Sequence, residues 1–361
     1  MIDKYLEFID KRKANNIYRQ NKQTVATKID LTTNDYLGLS QHPEMIKAAQ
    51  EYAIKYGVGA GSSRLLLNNN DIYKDLEDKI ANWKGTKKAM FFSSGYQLNS
   101  SVIPSLLCEK TLDSKPIVFA DKLNHSSINN GVLLSGAKQV RYSNCDLDML
   151  EFWLKKYDSV VEKFIITESI FGMDGTIVDI HRLVNLAKKY KAFLYIDEAH
   201  STGVYGKNGN GLCDEFSREI DCIIGTFSKG MGCQGGYMAV NNIIYDYLFN
   251  HCSGFVYSTA PSPILAGLAN KSIDLVSKMD TERISLIENC QKFKQQFKKY
   301  QLTGDEKSHI FSIILGTPQK CDDFVKQMIK NDILVSAIKY PTVPKNTDRI
   351  KIAINSSFVF N

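Results

Sequence analysis

The stretch that decides the fold of this 361-residue chain is Thr226-Phe227-Ser228-Lys229-Gly230-Met231-Gly232, which follows the apolar run Asp221-Cys222-Ile223-Ile224-Gly225. The run predicts a buried strand, and the small residues after it predict a tight turn. A lysine that is partly desolvated beside a carbonyl group can form a Schiff base with it, and the Thr226 hydroxyl is placed to bind a phosphate. On its own, a Ser-Lys-Gly triplet is more often a surface lysine in a glycine-rich turn.

A second strand end carries two further ionisable groups. The run Phe193-Leu194-Tyr195-Ile196 leads into Asp197, and His200 follows three residues later. Active sites of open α/β sheets lie at such strand ends. An aspartate there can pair with a protonated pyridine nitrogen, and His200 can reach the same face. The alternative is that Asp197 caps a turn and that His200 is an ordinary surface or core histidine.

Two more strand ends indicate the same chemistry. The run Met90-Phe91-Phe92 leads into Gly95 and Tyr96, after which apolar residues recur at helical spacing. A helix N-terminus at this point binds phosphate through its backbone N–H groups and the helix dipole. The run Phe119-Ala120-Asp121 leads to His125, whose flat ring can stack on a planar cofactor. Together, the four strand ends predict one site.

These motifs resemble the α-oxoamine synthase family of fold-type I pyridoxal-phosphate enzymes. The matching segments extend from Asn34-Asp35-Tyr36-Leu37-Gly38-Leu39 to Tyr340-Pro341-Thr342-Val343-Pro344, so the resemblance spans almost the whole chain. Within the family, the second segment is more similar to the biotin-pathway members than to those that join glycine to acetyl-CoA. The resemblance implies condensation of an amino acid with an acyl thioester, with loss of carbon dioxide.

The resemblance also implies a role for each matching catalytic residue. Lys229 would hold the cofactor covalently and then remove the α-proton, which requires a neutral amine and therefore a lowered pKa. Asp197 would keep the pyridine nitrogen protonated, and His125 would stack on the ring. His200 would bind the phenolic oxygen of the cofactor and stabilise an oxyanion during attack on the thioester.

Binding residues follow from the same resemblance. The implied phosphate contacts are the backbone of Gly95 and Tyr96, the hydroxyl of Thr226 and, across a homodimer interface, Ser258 and Thr259. The implied substrate contacts are Arg19, Asn34, His125, Thr342, Arg349 and Lys351.

Some positions depart from the family pattern. Gly172 stands where many members have a serine, and Ser169 is the candidate substitute. Asn68 and Tyr73 replace a glycine and a histidine. Because asparagine also adopts the left-handed conformation, the turn at Asn68 is expected to survive.

The most consequential departure concerns the arginine that usually grips the amino-acid carboxylate, which is Lys351 in this chain. Lysine keeps the charge but loses the planar two-pronged grip. Either Lys351 binds the carboxylate more loosely, or Arg349 takes the role, or the amino-acid substrate differs. The chain also ends at Asn361, without the final helix that most members carry.

Composition restricts the class of protein. Hydrophobic residues make up 43% of the chain, enough to bury a large core. The net charge of +6 is spread along the chain, which predicts no nucleic-acid partner and favours attraction of an anionic CoA or acyl carrier protein. No apolar run predicts a membrane span. Eight cysteines without Cys-x-x-Cys spacing favour the reduced cytoplasm and no metal site.

Alternating apolar runs and helical patterns predict an α/β fold, with a large, mostly parallel-sheet domain and a smaller α+β C-terminal domain. The expected divisions are an N-terminal helix and arm over 1–40, a cofactor domain over 41–260 and a small domain over 261–361. Core strands are expected around Ile117, Val140, Phe164, Leu194, Ile223 and Met238, and small-domain strands around 310–315, 333–336 and 350–354.

The leading functional hypothesis is a synthase that joins L-alanine to a pimeloyl thioester, with either CoA or acyl carrier protein as the donor. A related enzyme with another substrate pair, such as glycine with acetyl-CoA or a longer acyl chain, is the first alternative. A catalytically silent scaffold subunit is the second, and the joint presence of Lys229, Asp197, His125 and His200 argues against it. An aminotransferase is less favoured because the Asp-Glu-Ala-His motif indicates condensation.

Overall fold

The computed structural model of the chain describes residues 1–15, 17–19, 27–66 and 71–358, so the departure at Asn68 lies outside the described residues. The strands are β1 (Ile29–Asp30), β2 (Lys88–Phe92), β3 (Ile117–Asp121), β4 (Lys138–Tyr142), β5 (Lys163–Glu168), β6 (Phe193–Asp197), β7 (Cys222–Thr226), β8 (Gly236–Val240), β9 (Ile310–Gly316), β10 (Ile333–Leu334), β11 (Ser336–Ile338) and β12 (Asp348–Ala353). The helices are α1 (Ile2–Ala14), α2 (Pro43–Tyr56), α3 (Asp71–Lys84), α4 (Gly95–Leu106), α5 (Glu109–Leu112), α6 (Ser126–Ser135), α7 (Leu147–Lys156), α8 (Ile180–Tyr190), α9 (Asn242–His251), α10 (Ser253–Val256), α11 (Pro263–Val276), α12 (Asp280–Gln296) and α13 (Pro318–Lys330).

The chain divides into two compact units. The large unit comprises 34–172 and 176–285, and the small unit comprises 1–33, 173–175 and 286–361. A seven-stranded sheet in the order β2-β8-β7-β6-β5-β3-β4 forms the centre of the large unit. In this sheet β8 runs in the opposite direction to the other six strands, so the predicted mostly parallel sheet is confirmed.

The strands of this sheet are nearly continuous apolar runs because both faces are covered by helices. All five residues of β3, β7 and β8 are buried. One face packs against α4 and α6 in a cluster that includes Leu98, Val102 and Ile128. The opposite face packs against α7 and α8 in a cluster that includes Leu150 and Leu183. The sheet therefore holds its strand ends at fixed positions.

The small unit contains two sheets. The antiparallel sheet has the order β11-β12-β9, and β1 pairs with β10 in a parallel two-stranded sheet. The strand expected over 333–336 is therefore two strands, because β10 pairs with β1 whereas β11 pairs with β12. Val335, between them, is buried.

The compact units differ from the predicted divisions at 40 and 260. The large unit continues to Ser285 because α11 packs against α2 and α3. Gly267 of α11 lies so close to Tyr52 of α2 that a Cβ atom there would be 2.3 Å from the tyrosine ring. Tyr73 of α3, at a position that departs from the family pattern, is buried and donates to the carbonyl of Pro261 at 2.5 Å.

Residues 173–175 interrupt the sequence of the large unit and belong to the small unit. The Ser312 hydroxyl donates to the Met173 carbonyl at 2.8 Å, and the Asp305 N–H donates to the Gly175 carbonyl at 3.1 Å. Gly175 has a φ of +69°, and a Cβ atom there would lie 1.9 Å from the carbonyl oxygen of Ile310. Any side chain at this position would therefore clash with the backbone of β9 and displace residues 173–175.

Three further properties concern the described residues as a group. None of the helices in these ranges has the length and apolarity needed to cross a membrane. No group of three or more histidine, cysteine, aspartate or glutamate side chains in the same ranges is arranged to hold a metal ion. The described cysteines are not joined by disulfide bonds.

Candidate functional site

Lys229 lies in the turn that follows β7, as the sequence predicts. Its side chain is half-buried, and its Nζ lies 2.8 Å from Nε2 of His200. Desolvation lowers the pKa of the Lys229 amine, although the carboxylates of Asp197 and Glu168 act in the opposite direction. A lysine with a lowered pKa is neutral over a wider pH range and is a better nucleophile and base.

His200 links Lys229 to the Asn34 motif. The imidazole is buried, and its Nδ1 lies 2.6 Å from the hydroxyl of Tyr36, which in turn lies 3.2 Å from Oδ1 of Asn34. Gly172 provides the space for this ring, because a Cβ atom at Gly172 would lie 2.1 Å from Nε2 of His200. The absence of a side chain at Gly172 therefore permits the observed contact between His200 and Lys229.

Asp197 ends β6 and is held by two hydrogen bonds. Its Oδ1 accepts from the Ala199 N–H at 2.9 Å, and its Oδ2 accepts from Nδ2 of Asn99 at 3.0 Å. Asn99, in α4, is oriented by the hydroxyl of Tyr195, which donates to its Oδ1 at 2.5 Å. Burial raises the pKa of Asp197, and the Lys229 amine and these hydrogen bonds lower it. The carboxylate is thus fixed in direction.

Glu168, at the end of β5, is a member of the site that the sequence reasoning missed. It is buried, and its Oε1 accepts from the backbone N–H of His125 at 2.6 Å. Burial raises the pKa of Glu168 to about 8, and the nearby Asp197 carboxylate adds to the rise. The site therefore contains two buried carboxyl groups, of which Glu168 resists ionisation. Its position at a strand end was the available signal.

His125 lies at the start of α6 with its side chain exposed. Its Nδ1 is 2.8 Å from the hydroxyl of Ser127, and its ring meets the ring of Tyr96 edge-on, with 6.4 Å between the centroids. The structure thus brings His125 and Tyr96 together. The Tyr96 hydroxyl also accepts a hydrogen bond from Asn130.

The first turn of α4 lies beside the end of β7. Ser94 caps the helix by accepting from the Gln97 N–H at 3.1 Å, and the N–H groups of Gly95 and Tyr96 have no intrahelical acceptor. A Cβ atom at Gly95 would lie 3.6 Å from Cβ of Thr226, so the two predicted phosphate contacts are neighbours. The Thr226 hydroxyl donates to the Gly235 carbonyl at 2.7 Å.

The remaining predicted residues of the large unit are Ser258, Thr259 and Ser169. The Ser258 hydroxyl accepts from Nε2 of Gln97 at 3.2 Å, and Thr259 forms an isolated bridge with Ser63. Ser169 is fully buried, and its hydroxyl lies 3.0 Å from that of Ser201. Ser258 is therefore adjacent to the first turn of α4 within its own chain.

The other predicted substrate contacts lie in the small unit. Nη2 of Arg19 donates to the hydroxyl of Thr342 at 3.2 Å. Arg349 is buried and forms an ion pair with Asp174. Lys351 lies two residues further along β12 and therefore on the same face of the strand. The Arg349 guanidinium thus already binds a carboxylate of its own chain.

A buried ion pair between Lys84 and Glu198 also escaped the sequence reasoning. Lys84, at the end of α3, donates to Oε2 of Glu198 and to the carbonyl of Asn210, and both charged side chains are buried. Oε1 of Glu198 accepts from the Cys213 N–H at 2.8 Å. Because Glu198 follows Asp197 directly, this ion pair anchors the segment that leaves β6.

The arrangement fits a cofactor with an aldehyde, a basic ring nitrogen and a phosphate. The lowered pKa of Lys229 suits an aldehyde, and the fixed, buried carboxylate of Asp197 suits a protonated nitrogen. The N-terminus of α4 and the adjacent Thr226 suit a phosphate. These are the functional groups of pyridoxal phosphate.

Comparison with known proteins agrees with this chemistry. The model of the family "Aminotransferase class I and II" matches residues 26–357. Two bacterial relatives carry the name "Putative 8-amino-7-oxononanoate synthase". The relative from Paramagnetospirillum magneticum is 40% identical over 330 residues, covering 91% of this chain and 84% of the relative. The relative from Bacillus cereus is 39% identical over 332 residues, covering 91% and 83%.

Solved structures give the same result for the fold. Serine palmitoyltransferase from Sphingomonas wittichii superposes with a TM-score of 0.91 at 24% identity, covering 99% of this chain and 94% of that one. The 8-amino-7-oxononanoate synthase from Francisella tularensis superposes with a TM-score of 0.78 at 28% identity, covering 92% and 93%. The chain therefore belongs to the class I and II aminotransferase family of pyridoxal-phosphate enzymes and, within it, to the α-oxoamine synthases of fold type I.

Proposed function

We propose that this enzyme condenses L-alanine with a pimeloyl thioester, releasing carbon dioxide and a free thiol and forming 8-amino-7-oxononanoate for biotin synthesis. The observation that carries the proposal is the contact of 2.8 Å between the Lys229 amine and His200 in a desolvated site. The names of the relatives from P. magneticum and B. cereus support the choice of substrates.

Proton transfer at the amino acid is the task of Lys229. Pyridoxal phosphate, when bound, supplies an electron-withdrawing ring that stabilises negative charge at the α-carbon of the amino acid. Asp197 would hold the ring nitrogen protonated, since its carboxylate is buried and fixed by Asn99. The lowered pKa of Lys229 favours the neutral form of its amine, which can accept the α-proton.

His200 is placed to assist the second half of the reaction. Its ring is held between Lys229 and Tyr36, so the imidazole has a defined direction at the amine. A hydrogen bond from such a ring stabilises the oxyanion that forms when a carbanion attacks a thioester. Because His200 is buried, this hydrogen bond forms away from bulk water, where it is stronger.

We assign the remaining contacts by the chemistry of the cofactor. The N–H groups of Gly95 and Tyr96 and the Thr226 hydroxyl would hold the phosphate, and His125 would stack on the ring. Ser258 and Thr259 would complete the phosphate site across a homodimer interface, and Ser169 would replace the hydroxyl that Gly172 lacks.

We assign the carboxylate of the amino acid to Lys351. Arg349 is buried against Asp174, and withdrawing it would leave that carboxylate without its ion pair. Lys351 offers a point charge without a two-pronged grip, which predicts weaker binding of the carboxylate than an arginine would give. Arg19 and Thr342, which contact each other, would bind the acyl substrate. Asn34, which is linked to His200 through the Tyr36 hydroxyl, would be a further substrate contact.

The test is thiol release by the pyridoxal-phosphate-loaded enzyme with defined substrate pairs. L-alanine with pimeloyl-CoA is compared with glycine plus acetyl-CoA and with L-serine plus palmitoyl-CoA, and pimeloyl-acyl carrier protein replaces pimeloyl-CoA in a fourth assay. The proposal predicts release with a pimeloyl donor and L-alanine, and 8-amino-7-oxononanoate in the product mixture by mass spectrometry.

Release with only one of the other pairs would overturn the assignment of substrates but keep the reaction class. The lysine at position 351 gives this outcome a specific basis, since a changed carboxylate ligand is compatible with a different amino acid. Absence of release with every pair, from enzyme that binds the cofactor, would overturn the proposed reaction itself.

A further inference from the structure

Two side chains, Asn99 and Ser127, connect Asp197 to His125 through hydrogen bonds, and we refer to them as the polar relay. The amide of Asn99 donates to Oδ2 of Asp197 at 3.0 Å and to the hydroxyl of Ser127 at 3.0 Å. The Ser127 hydroxyl lies 2.8 Å from Nδ1 of His125. Asn99, Ser127 and Asp197 are buried. His125 is exposed, so the relay extends from the interior of the large unit to its surface.

The packing of α4 against α6 brings the two members of the relay together. Gly131 follows Ser127 by one turn of α6 and therefore lies on the same face of the helix. A Cβ atom at Gly131 would lie 2.6 Å from the backbone carbonyl oxygen of Asn99, so the glycine permits the close approach of α4. Leu98 and Ile128, which each neighbour a relay residue in sequence, belong to one core cluster. The helix contact therefore fixes the position of the Asn99 amide.

The orientation of this amide follows from its partners. Burial raises the pKa of the Tyr195 phenol well above its ordinary value, so the hydroxyl keeps its proton and donates to Oδ1 of Asn99 at 2.5 Å. The NH₂ group of Asn99 then faces Asp197 and Ser127. The ionised carboxylate of Asp197 can only accept, which excludes the flipped amide. Asn99 is thus a donor to both partners.

The direction of the Asn99 amide determines the tautomer of His125. The Ser127 oxygen accepts from Asn99, and Nδ1 of His125 is the acceptor described for the Ser127 hydroxyl proton. The backbone N–H of Ser127 also donates to Nδ1, at 3.3 Å. Because one nitrogen of a neutral imidazole accepts and the other carries the proton, the proton of neutral His125 lies on Nε2.

The backbone of His125 has a buried partner of its own. Its N–H donates to Oε1 of Glu168 at 2.6 Å, so the residue is held through the main chain as well as through Nδ1 of the ring. The proposed function assigns to His125 the stacking contact with the cofactor, and such a contact requires a ring of fixed plane. Both hydrogen bonds restrict the motion of that plane.

We propose that Asn99 and Ser127 are positioning residues for His125, holding its ring in one orientation and in the tautomer that leaves Nε2–H as its hydrogen-bond donor. Because Asn99 also binds Asp197, one amide orients the group assigned to the nitrogen of the cofactor ring and the group assigned to its face. This inference rests on the proposed function for the use of His125, whereas the tautomer itself does not depend on the substrates.

The test is ¹⁵N nuclear magnetic resonance of deuterated holoenzyme labelled with ¹⁵N-histidine. The His125 signals are identified by their absence from His125→Gln, and they are compared at a pH above which they no longer change. Protonated and unprotonated ring nitrogens have widely separated ¹⁵N shifts. We expect an unprotonated Nδ1 and a protonated Nε2 in the parent enzyme. In Ser127→Ala both shifts should move towards each other, because the two tautomers become populated together.

The matched control is Ser126→Ala, which removes the neighbouring but exposed hydroxyl and should leave both shifts unchanged. Asn99→Leu preserves the approximate shape of the side chain and removes both N–H donors. It should move the His125 shifts in the same direction as Ser127→Ala, since the Ser127 hydroxyl can then accept from Nδ1–H as well as donate to Nδ1. Near-ultraviolet circular dichroism establishes that each variant is folded.

Catalysis provides a second readout. Ser127→Ala should lower kcat/KM about fivefold, the ratio expected for the loss of one hydrogen bond, and Ser126→Ala should leave it unchanged. A role of Ser127 in packing alone would lower stability without changing the tautomer of His125. The ¹⁵N shifts therefore separate a positioning role from a structural one.

Three results would overturn the proposal. A protonated Nδ1 in the parent enzyme would contradict the tautomer, and unchanged shifts in folded Ser127→Ala would contradict the role of Ser127. Unchanged shifts in folded Asn99→Leu would contradict the role of Asn99. If the shifts change as expected while no substrate pair releases a thiol, the proposed function fails and the positioning of His125 stands.

Discussion

Two lysines of the large unit, Lys229 and Lys84, show opposite solutions to the same electrostatic problem. Both amines are removed from bulk solvent, which on its own lowers the pKa of a lysine. At Lys229 desolvation dominates and the pKa falls. At Lys84 desolvation also acts, but the Glu198 carboxylate in direct contact outweighs it and the pKa rises.

The difference lies in what each amine contacts. The nearest polar partner described for Lys229 is an imidazole nitrogen of His200 at 2.8 Å, whereas Lys84 donates to a carboxylate and to the carbonyl of Asn210. A lowered pKa favours the neutral amine that covalent chemistry and proton transfer need, and a raised pKa favours the charged amine that anchors a loop. Burial alone therefore does not distinguish a catalytic lysine from a structural one.

The largest effect is expected from removing Lys229. Lys229→Ala should lower the rate of thiol release by at least about 10³-fold, because the covalent attachment and the base are lost together. Its circular dichroism spectrum and urea midpoint should stay close to those of the parent enzyme. Activity within tenfold of the parent enzyme would contradict the catalytic role of Lys229 and remove its distinction from the structural Lys84.

Removing the charged lysine should act on stability. Lys84→Met leaves Glu198 buried without its counterion, which is expected to lower the free energy of unfolding by about 3–5 kcal/mol. Urea denaturation of the holoenzyme measures this change. The double variant Lys84→Met/Glu198→Gln should recover most of the loss, because no uncompensated charge remains.

A surface ion pair supplies the matched control for Lys84. Lys79 binds Asp274 at 2.8 Å with both side chains partly exposed, so Lys79→Met should cost no more than about 1 kcal/mol. Equal losses for Lys79→Met and Lys84→Met would contradict the interpretation of the buried pair.

Glu168 sharpens the comparison from the acidic side, since its carboxyl group contacts the backbone N–H of His125. Its pKa of about 8 in the folded enzyme lies above the value of about 4.3 in an unfolded chain, so the folded state holds the proton in this interval. Stability contributed by the protonated form is full below about pH 4.3 and is lost as the pH rises towards 8.

Glu168→Gln should therefore gain stability relative to the parent enzyme between pH 5 and pH 8, by at most about 1.4 kcal/mol per pH unit. The amide oxygen of the substituted side chain keeps an acceptor for the His125 N–H, so the hydrogen bond is not the variable. Unfolding curves at pH 5, 6.5 and 8 make the measurement. A difference that stays constant with pH would show that Glu168 is ionised throughout.

The smallest effect concerns a third lysine, in the small unit. Lys351→Arg should lower KM for the amino acid a few-fold, equivalent to less than about 1 kcal/mol, with kcat nearly unchanged. Steady-state kinetics with varied amino acid measure it, and Lys351→Gln, which removes the charge, should raise KM. A higher KM in Lys351→Arg would show that the lysine is adapted to something other than a simple carboxylate contact.

Much of the large unit and its strand ends was predictable because these features are local. The runs around Ile117, Val140, Phe164, Leu194, Ile223 and Met238 are all strands of the large sheet. The positions of Lys229 and Asp197 at strand ends were predictable from the apolar runs that precede them, and parallel strands place their carboxyl ends at one edge. The prediction of one strand over 333–336 was imperfect, because β10 pairs with β1 whereas β11 pairs with β12. Local strand propensity does not reveal such pairing partners.

The missed residues share a different property. Asn99 contacts Asp197 across 98 positions of sequence, and Lys84 contacts Glu198 across 114. No local period or motif connects such residues, so only the packing of α3 and α4 on the sheet brings them together. The end of the large unit at Ser285, rather than at residue 260, has the same origin in the packing of α11.

The amino-acid sequence was sufficient for the reaction class, because a nucleophilic lysine, an acidic strand end and a helix N-terminus are each written in contiguous residues. The protonation states of those groups could not be predicted from the amino-acid sequence. Whether an amine is charged depends on desolvation and on the distance to a carboxylate, and both are set when remote segments pack together. The chemical groups of this site are thus local properties of the chain, whereas their ionisation is a property of the fold.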